Sequence, residues 1–321
     1  MDPVAFLFPG QGAQVLGMAV DLVDAYPEAR AVFDAGKDVL GRDILEVCRT
    51  GPEAELNSTR FSQPAIFLHS MAVLKVLDEV MEIPVLAAAG LSLGEYSALV
   101  CAESVDFSDA LQVVALRGEY MQEACDSSSG TMASVIGLPV ARVEDVVAQA
   151  RTDGLNIGIA NYNSPNQTVI SGEVDAVDVT AKRLEDAGAR RTIRLKVAGA
   201  YHSSLMASAT QRLKPHLEKL AIHAPKVPFY SNVTGTEATG PEQIRENLLL
   251  QIENSVRWEQ ILHSLLAREV KQALELGPGR VLAGLMRSVS REVEVVPVGT
   301  LEQVQSLSRI TPERLEGKST V

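Results

Sequence analysis

Pro84-Val85-Leu86-Ala87-Ala88-Ala89-Gly90-Leu91-Ser92-Leu93-Gly94-Glu95 is the stretch whose reading decides the fold. An apolar run ends in three alanines and a glycine, a short turn carries one serine, and a helical pattern begins near Glu95. Small residues on both sides let a strained strand-to-helix turn form, leaving the serine oxygen exposed over a helix N-terminus. A glycine-rich turn whose serine merely caps the helix has the same local composition. The same transition occurs earlier, where Val4 to Phe8 stops at Pro9-Gly10-Gln11-Gly12. An amphipathic helix follows from Ser108. Short apolar strands alternating with helices predict an α/β fold, with a mostly parallel sheet covered on both faces.

From about Gly130 the rhythm changes. A strand (Met132 to Gly137), a helix (Ala141 to Arg151), two strands (Leu155 to Asn161, Gln167 to Ser171), a helix (Val174 to Ala187) and a strand (Ala189 to Val197) give a β-α-β-β-α-β order. That order is ferredoxin-like. The expected organisation is therefore a large α/β domain over 1–128 and 199–307, an inserted small subdomain over 129–198, and a polar tail over 308–321 that frays from Thr311.

Composition narrows the class. An apolar share of 46% and a charged share of 22% over 321 residues are those of a globular protein with a sizeable core. No run approaches the roughly 18 apolar residues of a membrane helix, and the N-terminus lacks the basic region of a signal peptide. Cys48, Cys101 and Cys125 are odd in number and widely spaced, which suggests neither a disulfide framework nor a metal site and points to a reducing compartment. A net charge of −12 argues against nucleic acid as a partner and requires any anion site to be local.

A serine nucleophile needs a base, and histidine suits that work near neutral pH. Of five histidines, His69 sits in an apolar helical segment, while His216, His223 and His263 lie in polar stretches of helix-surface character. His202 differs. It lies in Gly199-Ala200-Tyr201-His202-Ser203-Ser204, a small-residue loop after a strand, as at the carboxyl edge of an open sheet. One oxyanion N–H is expected from Leu93, the residue after the serine, and a second from the Pro9-Gly10-Gln11-Gly12 loop. Arg117 has Val113, Val114, Tyr120 and Met121 at helical spacing, so its guanidinium falls on an apolar stripe. Such an arginine requires a partner. A structural ion pair is the ordinary choice; beside a nucleophilic serine, a substrate carboxylate fits the fork better.

These residues, with Phe6-Leu7-Phe8-Pro9-Gly10-Gln11-Gly12, Ser62-Gln63-Pro64-Ala65, Glu95-Tyr96-Ser97-Ala98-Leu99, Leu116-Arg117-Gly118, Asn161-Tyr162-Asn163-Ser164-Pro165, Gln251 to Trp258 and Gly277-Pro278-Gly279, resemble the malonyl-CoA:acyl carrier protein transacylase family over nearly the whole chain. The resemblance implies an α/β-hydrolase-like large domain carrying the ferredoxin-like one. It also implies Ser92 as nucleophile, His202 as base oriented by the main-chain carbonyl of Gln251, and Gln11 and Leu93 as oxyanion donors. Arg117 would then grip the malonyl carboxylate, with Gln63 and Asn161 lining the pocket. Acyl carrier protein and malonyl-CoA are the implied partners, and phosphopantetheine belongs to the carrier. No cofactor is expected, and the chain is expected to be a cytoplasmic monomer, or the mature form in an organelle.

Two positions depart from the family pattern. Leu91 replaces the usual histidine before the nucleophile, and Tyr201 stands where malonyl-selective members carry phenylalanine. Either aromatic ring fills the space of an α-methyl branch. A serine esterase would share the elbow but would place a carboxylate on His202 and have no use for Arg117. A non-catalytic docking domain would have no use for Ser92, Arg117 and His202 together.

Overall fold

In the computed structural model, which describes residues 3–310, β1 (Val4–Phe8) is central to a five-stranded parallel sheet. With β2 (Val85–Gly90), β3 (Gly130–Ile136), β4 (Ile157–Ser164), β5 (Gln167–Glu173), β6 (Arg191–Arg194), β7 (Phe229–Tyr230), β8 (Gln272–Leu276) and β9 (Glu294–Val298) numbered along the chain, its order is β7-β2-β1-β8-β9. Every residue of β1 is buried because helices cover both faces, which is why the strand reads as an unbroken apolar run. The pleat then divides it: Val4, Phe6 and Phe8 enter one core, Ala5 and Leu7 the other. The first core is built largely by the helices Thr59–Val80 and Phe107–Asp126, the second by Trp258, Ile261, Leu282 and their neighbours.

Between β1 and β2 there is no strand among the described residues, only five helices from Val20 to Val80. The helix after the elbow spans Gly94–Cys101, and the amphipathic one Phe107–Asp126.

The second sheet has the order β4-β5-β3-β6, with every neighbouring pair antiparallel. Two helices, Val140–Thr152 and Val174–Asp186, pack on one face and close a third core around Val135, Val143, Ile170 and Leu184. This is the ferredoxin-like arrangement. β6 covers only four of the nine residues from Ala189 to Val197; it is an edge strand whose Arg191 and Arg194 face water, a charge pattern that discourages further pairing. β4 also touches the large part directly, since Tyr162 N–H donates to Val256 O (2.9 Å) and Val256 N–H to Ala160 O (2.8 Å).

The last helix, Leu301–Ile310, runs past the boundary expected at 307, so the expected tail begins inside a helix; Thr311 to Val321 lie outside the described residues. Among the described residues all three cysteines are free, and no helix is long and apolar enough to cross a membrane.

Candidate active site

The turn after β2 is as tight as its composition requires. A Cβ on Gly90 would lie 1.9 Å from Gly94 O, and one on Gly94 would lie 2.2 Å from Phe8 O, so neither position admits a side chain. Ser92 is held at φ 52°, a left-handed conformation strained for serine. Asn232, just past β7, holds the turn: its Oδ1 accepts from Ser92 N–H (2.6 Å) and its Nδ2 donates to Gly90 O (2.7 Å).

His202 Nε2 lies 2.8 Å from Ser92 Oγ, and His202 Nδ1 lies 2.7 Å from the Gln251 main-chain oxygen. A carbonyl only accepts, so the proton sits on Nδ1 and Nε2 is free to take the serine proton. Gln251 is the last residue of the helix Pro241–Gln251, where carbonyls have no partner further along the helix. Burial, reinforced by the Arg117 guanidinium, pushes the His202 pKa down to about 4, so the ring is neutral at pH 7. Among the described residues no carboxylate bonds to His202 Nδ1, the contact that an esterase triad would use.

Arg117 is 1% exposed. Its Nη1 donates to Gln63 Oε1 (2.7 Å), and its Nη2 donates to Gln251 Oε1 (2.9 Å) and Ser92 Oγ (3.1 Å). Among the described residues no carboxylate forms an ion pair with it, and its Nε is buried with no hydrogen-bond partner. A buried guanidinium with no carboxylate partner beside a serine oxygen has donor capacity for one.

Glu95, in the first turn of the helix Gly94–Cys101, is fully buried. Its Oε2 accepts from Gln251 Nε2 (2.6 Å) and its Oε1 from Asn232 N–H (3.1 Å), while Gln251 Nε2 also donates to Ser92 O (2.8 Å). Burial raises the Glu95 pKa to about 7 against these hydrogen bonds.

The other expected residues divide. No backbone or side-chain partner among the described residues takes the N–H of Gln11 or Leu93, so both remain available as donors. Gln11 Nε2 donates to Tyr201 Oη (3.1 Å) and Thr59 Oγ1 (3.3 Å), and Tyr201 Oη is 2.5 Å from Thr59 Oγ1. Asn161 lies on β4 at its bridge to Val256, and no hydrogen bond joins its side chain to this group. His69 is buried against Gly299 O, and His223 lies in an extended loop rather than on a helix.

A cavity of about 530 Å³ beside β4 and the helix Val140–Thr152 has His202 in its wall, with Ile157, Ile159, Tyr162 and Glu253. A larger one, about 700 Å³, lies between the helix Val281–Val289 and β9 and contains none of these residues. The hydrogen-bonded group around Ser92 rather than cavity size locates the site.

Asn232 and the linking position of Glu95 are what sequence reading missed. The available signal was Ser231-Asn232 following an apolar strand, at the carboxyl edge where open α/β sheets place their sites.

A parallel α/β sheet with an elbow serine, a neutral histidine and a buried guanidinium defines an acyltransferase, not a hydrolase with an acid-backed triad. The family model described as "Acyl transferase domain" matches residues 5–312, and the chain belongs to that family. The malonyl CoA-acyl carrier protein transacylase of Bacillus subtilis (strain 168) is 37% identical over 305 residues, covering 95% of this chain and 96% of that protein. The enzyme of the same name from Escherichia coli (strain K12) is 38% identical over 289 residues, covering 90% and 93%. Among solved structures, a malonyl-transacylase in complex with a type II PKS acyl-carrier protein superposes with a TM-score of 0.92 at 37% identity, covering 96% of this chain and all of that one. The Coxiella burnetii transacylase gives 0.92 at 35%, covering 96% and 97%.

Proposed function

We propose that the chain transfers malonyl from malonyl-CoA to the phosphopantetheine thiol of an acyl carrier protein, supplying fatty-acid or polyketide synthesis. The observation that carries this reading is Arg117, buried with no carboxylate paired to it among the described residues and with Nη2 3.1 Å from Ser92 Oγ. A carboxylate on the acyl group is the partner its fork lacks.

In the first half-reaction Ser92 Oγ attacks the thioester carbon while its proton passes to His202 Nε2. The oxyanion takes the N–H groups of Gln11 and Leu93. The C–S bond breaks, and the coenzyme A sulfur leaves with the proton from His202. In the second, the carrier thiol gives its proton to His202 and attacks the malonyl-Ser92 ester, and Ser92 recovers the proton as it departs. Coenzyme A and phosphopantetheine enter as substrates, and every group used comes from one chain. Gln63 holds Arg117, and Tyr201 fills the space an α-methyl branch needs, which favours malonyl over methylmalonyl. The names of the relatives support an acyl carrier protein as partner.

Intact-protein mass spectrometry after brief incubation with malonyl-, acetyl- and methylmalonyl-CoA tests the reading. An adduct of malonyl mass is expected on the parent and none on Ser92→Ala. Preferential acetyl labelling, or malonyl labelling of Ser92→Ala, overturns it.

A further inference from the structure

We propose that Glu95 is a positioning residue for substrate choice: through the Gln251 side-chain amide it holds the Arg117 guanidinium beside Ser92 without itself forming the direct carboxylate pair that an acyl carboxylate would make. The inference rests on the malonyl-transfer reading and adds a residue to it.

A guanidinium as buried as Arg117 is costly without compensating negative charge. A carboxylate placed directly on it would supply that charge but would occupy the donors in a bidentate pair, and an incoming carboxylate would then have to displace it. The observed arrangement sets the acid one amide away. Gln251 Nε2 donates to Glu95 Oε2 and to Ser92 O, so Gln251 Oε1 can point only toward Arg117 Nη2. With the amide flipped, its oxygen would face two acceptors and its NH2 would face the guanidinium, three unfavourable contacts in a buried site. In its ionised form Glu95 still acts on Arg117 through space. The fork keeps its free Nε and its approach to Ser92 Oγ.

Glu95→Gln tests this with little change of volume. A carboxylate offers both Asn232 N–H and Gln251 Nε2 an acceptor oxygen; a carboxamide has one oxygen, so one donor must face its NH2. Loading rates for malonyl- and acetyl-CoA, measured by rapid quench and mass spectrometry, should show the malonyl kcat/KM falling at least about tenfold, mostly through KM, as expected for a buried donor left without its acceptor. Acetyl loading should change several-fold less, so the malonyl-to-acetyl ratio falls. Gln251→Met gives a second route, since it keeps the carbonyl on His202 and keeps Glu95 but removes the amide between them and Arg117; its ratio should fall likewise. If Glu95→Gln does not fold, Gln251→Met decides. An unchanged ratio in either folded variant, or an equal loss with both donors, overturns the assignment. A parent enzyme that malonyl-CoA fails to label refutes the transfer reading itself, whatever Glu95 does.

Discussion

Replacing Arg117 with alanine separates substrate recognition from chemistry. The guanidinium is 1% exposed and reaches Ser92 Oγ at 3.1 Å, so a malonyl carboxylate brought to Ser92 meets it away from bulk water. Removing one partner of a buried charge pair costs about 3–5 kcal/mol. Water entering the truncated site recovers part of this, and about 3 kcal/mol corresponds to roughly 100-fold in rate at about 1.4 kcal/mol per tenfold. Malonyl loading of Arg117→Ala should therefore fall about 100-fold, while acetyl loading, with no carboxylate to pair, should fall by less than about tenfold or rise. The assay is time-resolved intact mass spectrometry of the acyl-enzyme with each donor, run beside a thermal melt, because the substitution also deprives Gln63 Oε1 and Gln251 Oε1 of their donor. Equal losses with both donors in a folded variant would mean that Arg117 only supports the site and does not recognise a carboxylate.

The low His202 pKa gives a pH prediction. With acetyl-CoA, whose acyl group does not titrate, the acid limb of the loading rate should have its midpoint nearer 4 than the ordinary 6.5, and a midpoint at 6.5 would contradict the buried neutral ring. Between those values the unfolded chain binds more protons, so the stability contribution of His202 is present above 6.5 and is lost as pH falls toward 4. Asn232→Ala removes both hydrogen bonds that brace the elbow and should lower the melting temperature by a few degrees, at about 1 kcal/mol per bond, while reducing loading by malonyl and acetyl alike. Selective loss of one donor would refute the bracing role. Lys182, Arg183, Arg190, Arg191, Arg194 and Lys196 place six basic side chains within fifteen residues of the small subdomain; Arg183 and Arg194 are paired with Asp153 and Asp178, whereas Arg190 and Arg191 are exposed. Reversing those two to glutamate should slow transfer to an acidic carrier and flatten its salt dependence, with malonyl-CoA loading unchanged; parent-like carrier kinetics would place docking elsewhere.

What could be read from the sequence was chemistry written over short spans. The elbow declares itself because glycines and serine must sit within five residues, and β1 because a strand covered on both faces cannot afford a polar side chain. The ferredoxin-like order can be read from alternating periodicities, although β6 is shorter than its pattern suggests, covering Arg191–Arg194 with one further hydrogen bond to β3 at each end, from Arg190 and Leu195. Asn232 and Glu95 stayed hidden for a different reason. An acidic residue in a helix's first turn already has an ordinary explanation in the helix dipole. Nothing local says that Glu95 will meet a glutamine 156 positions away. Asn161 is a separate case: its motif is matched, it sits on β4 at the bridge to Val256, and among the described residues its side chain makes no hydrogen bond to the Ser92 group.

The carbonyl that anchors His202 closes the helix Pro241–Gln251, and a helix's final carbonyls carry roughly half a negative charge. When the ring takes the serine proton, the resulting imidazolium faces a fixed dipole where an acid-backed triad has an anion. Such an end is worth on the order of 0.3–2 kcal/mol to a cation, less than a full charge would supply. It has no protonation state of its own. Acid therefore cannot disarm the anchor separately from the ring, and no side-chain substitution deletes it, because it belongs to the backbone. Only a change that unwinds or shifts the helix end would release the base.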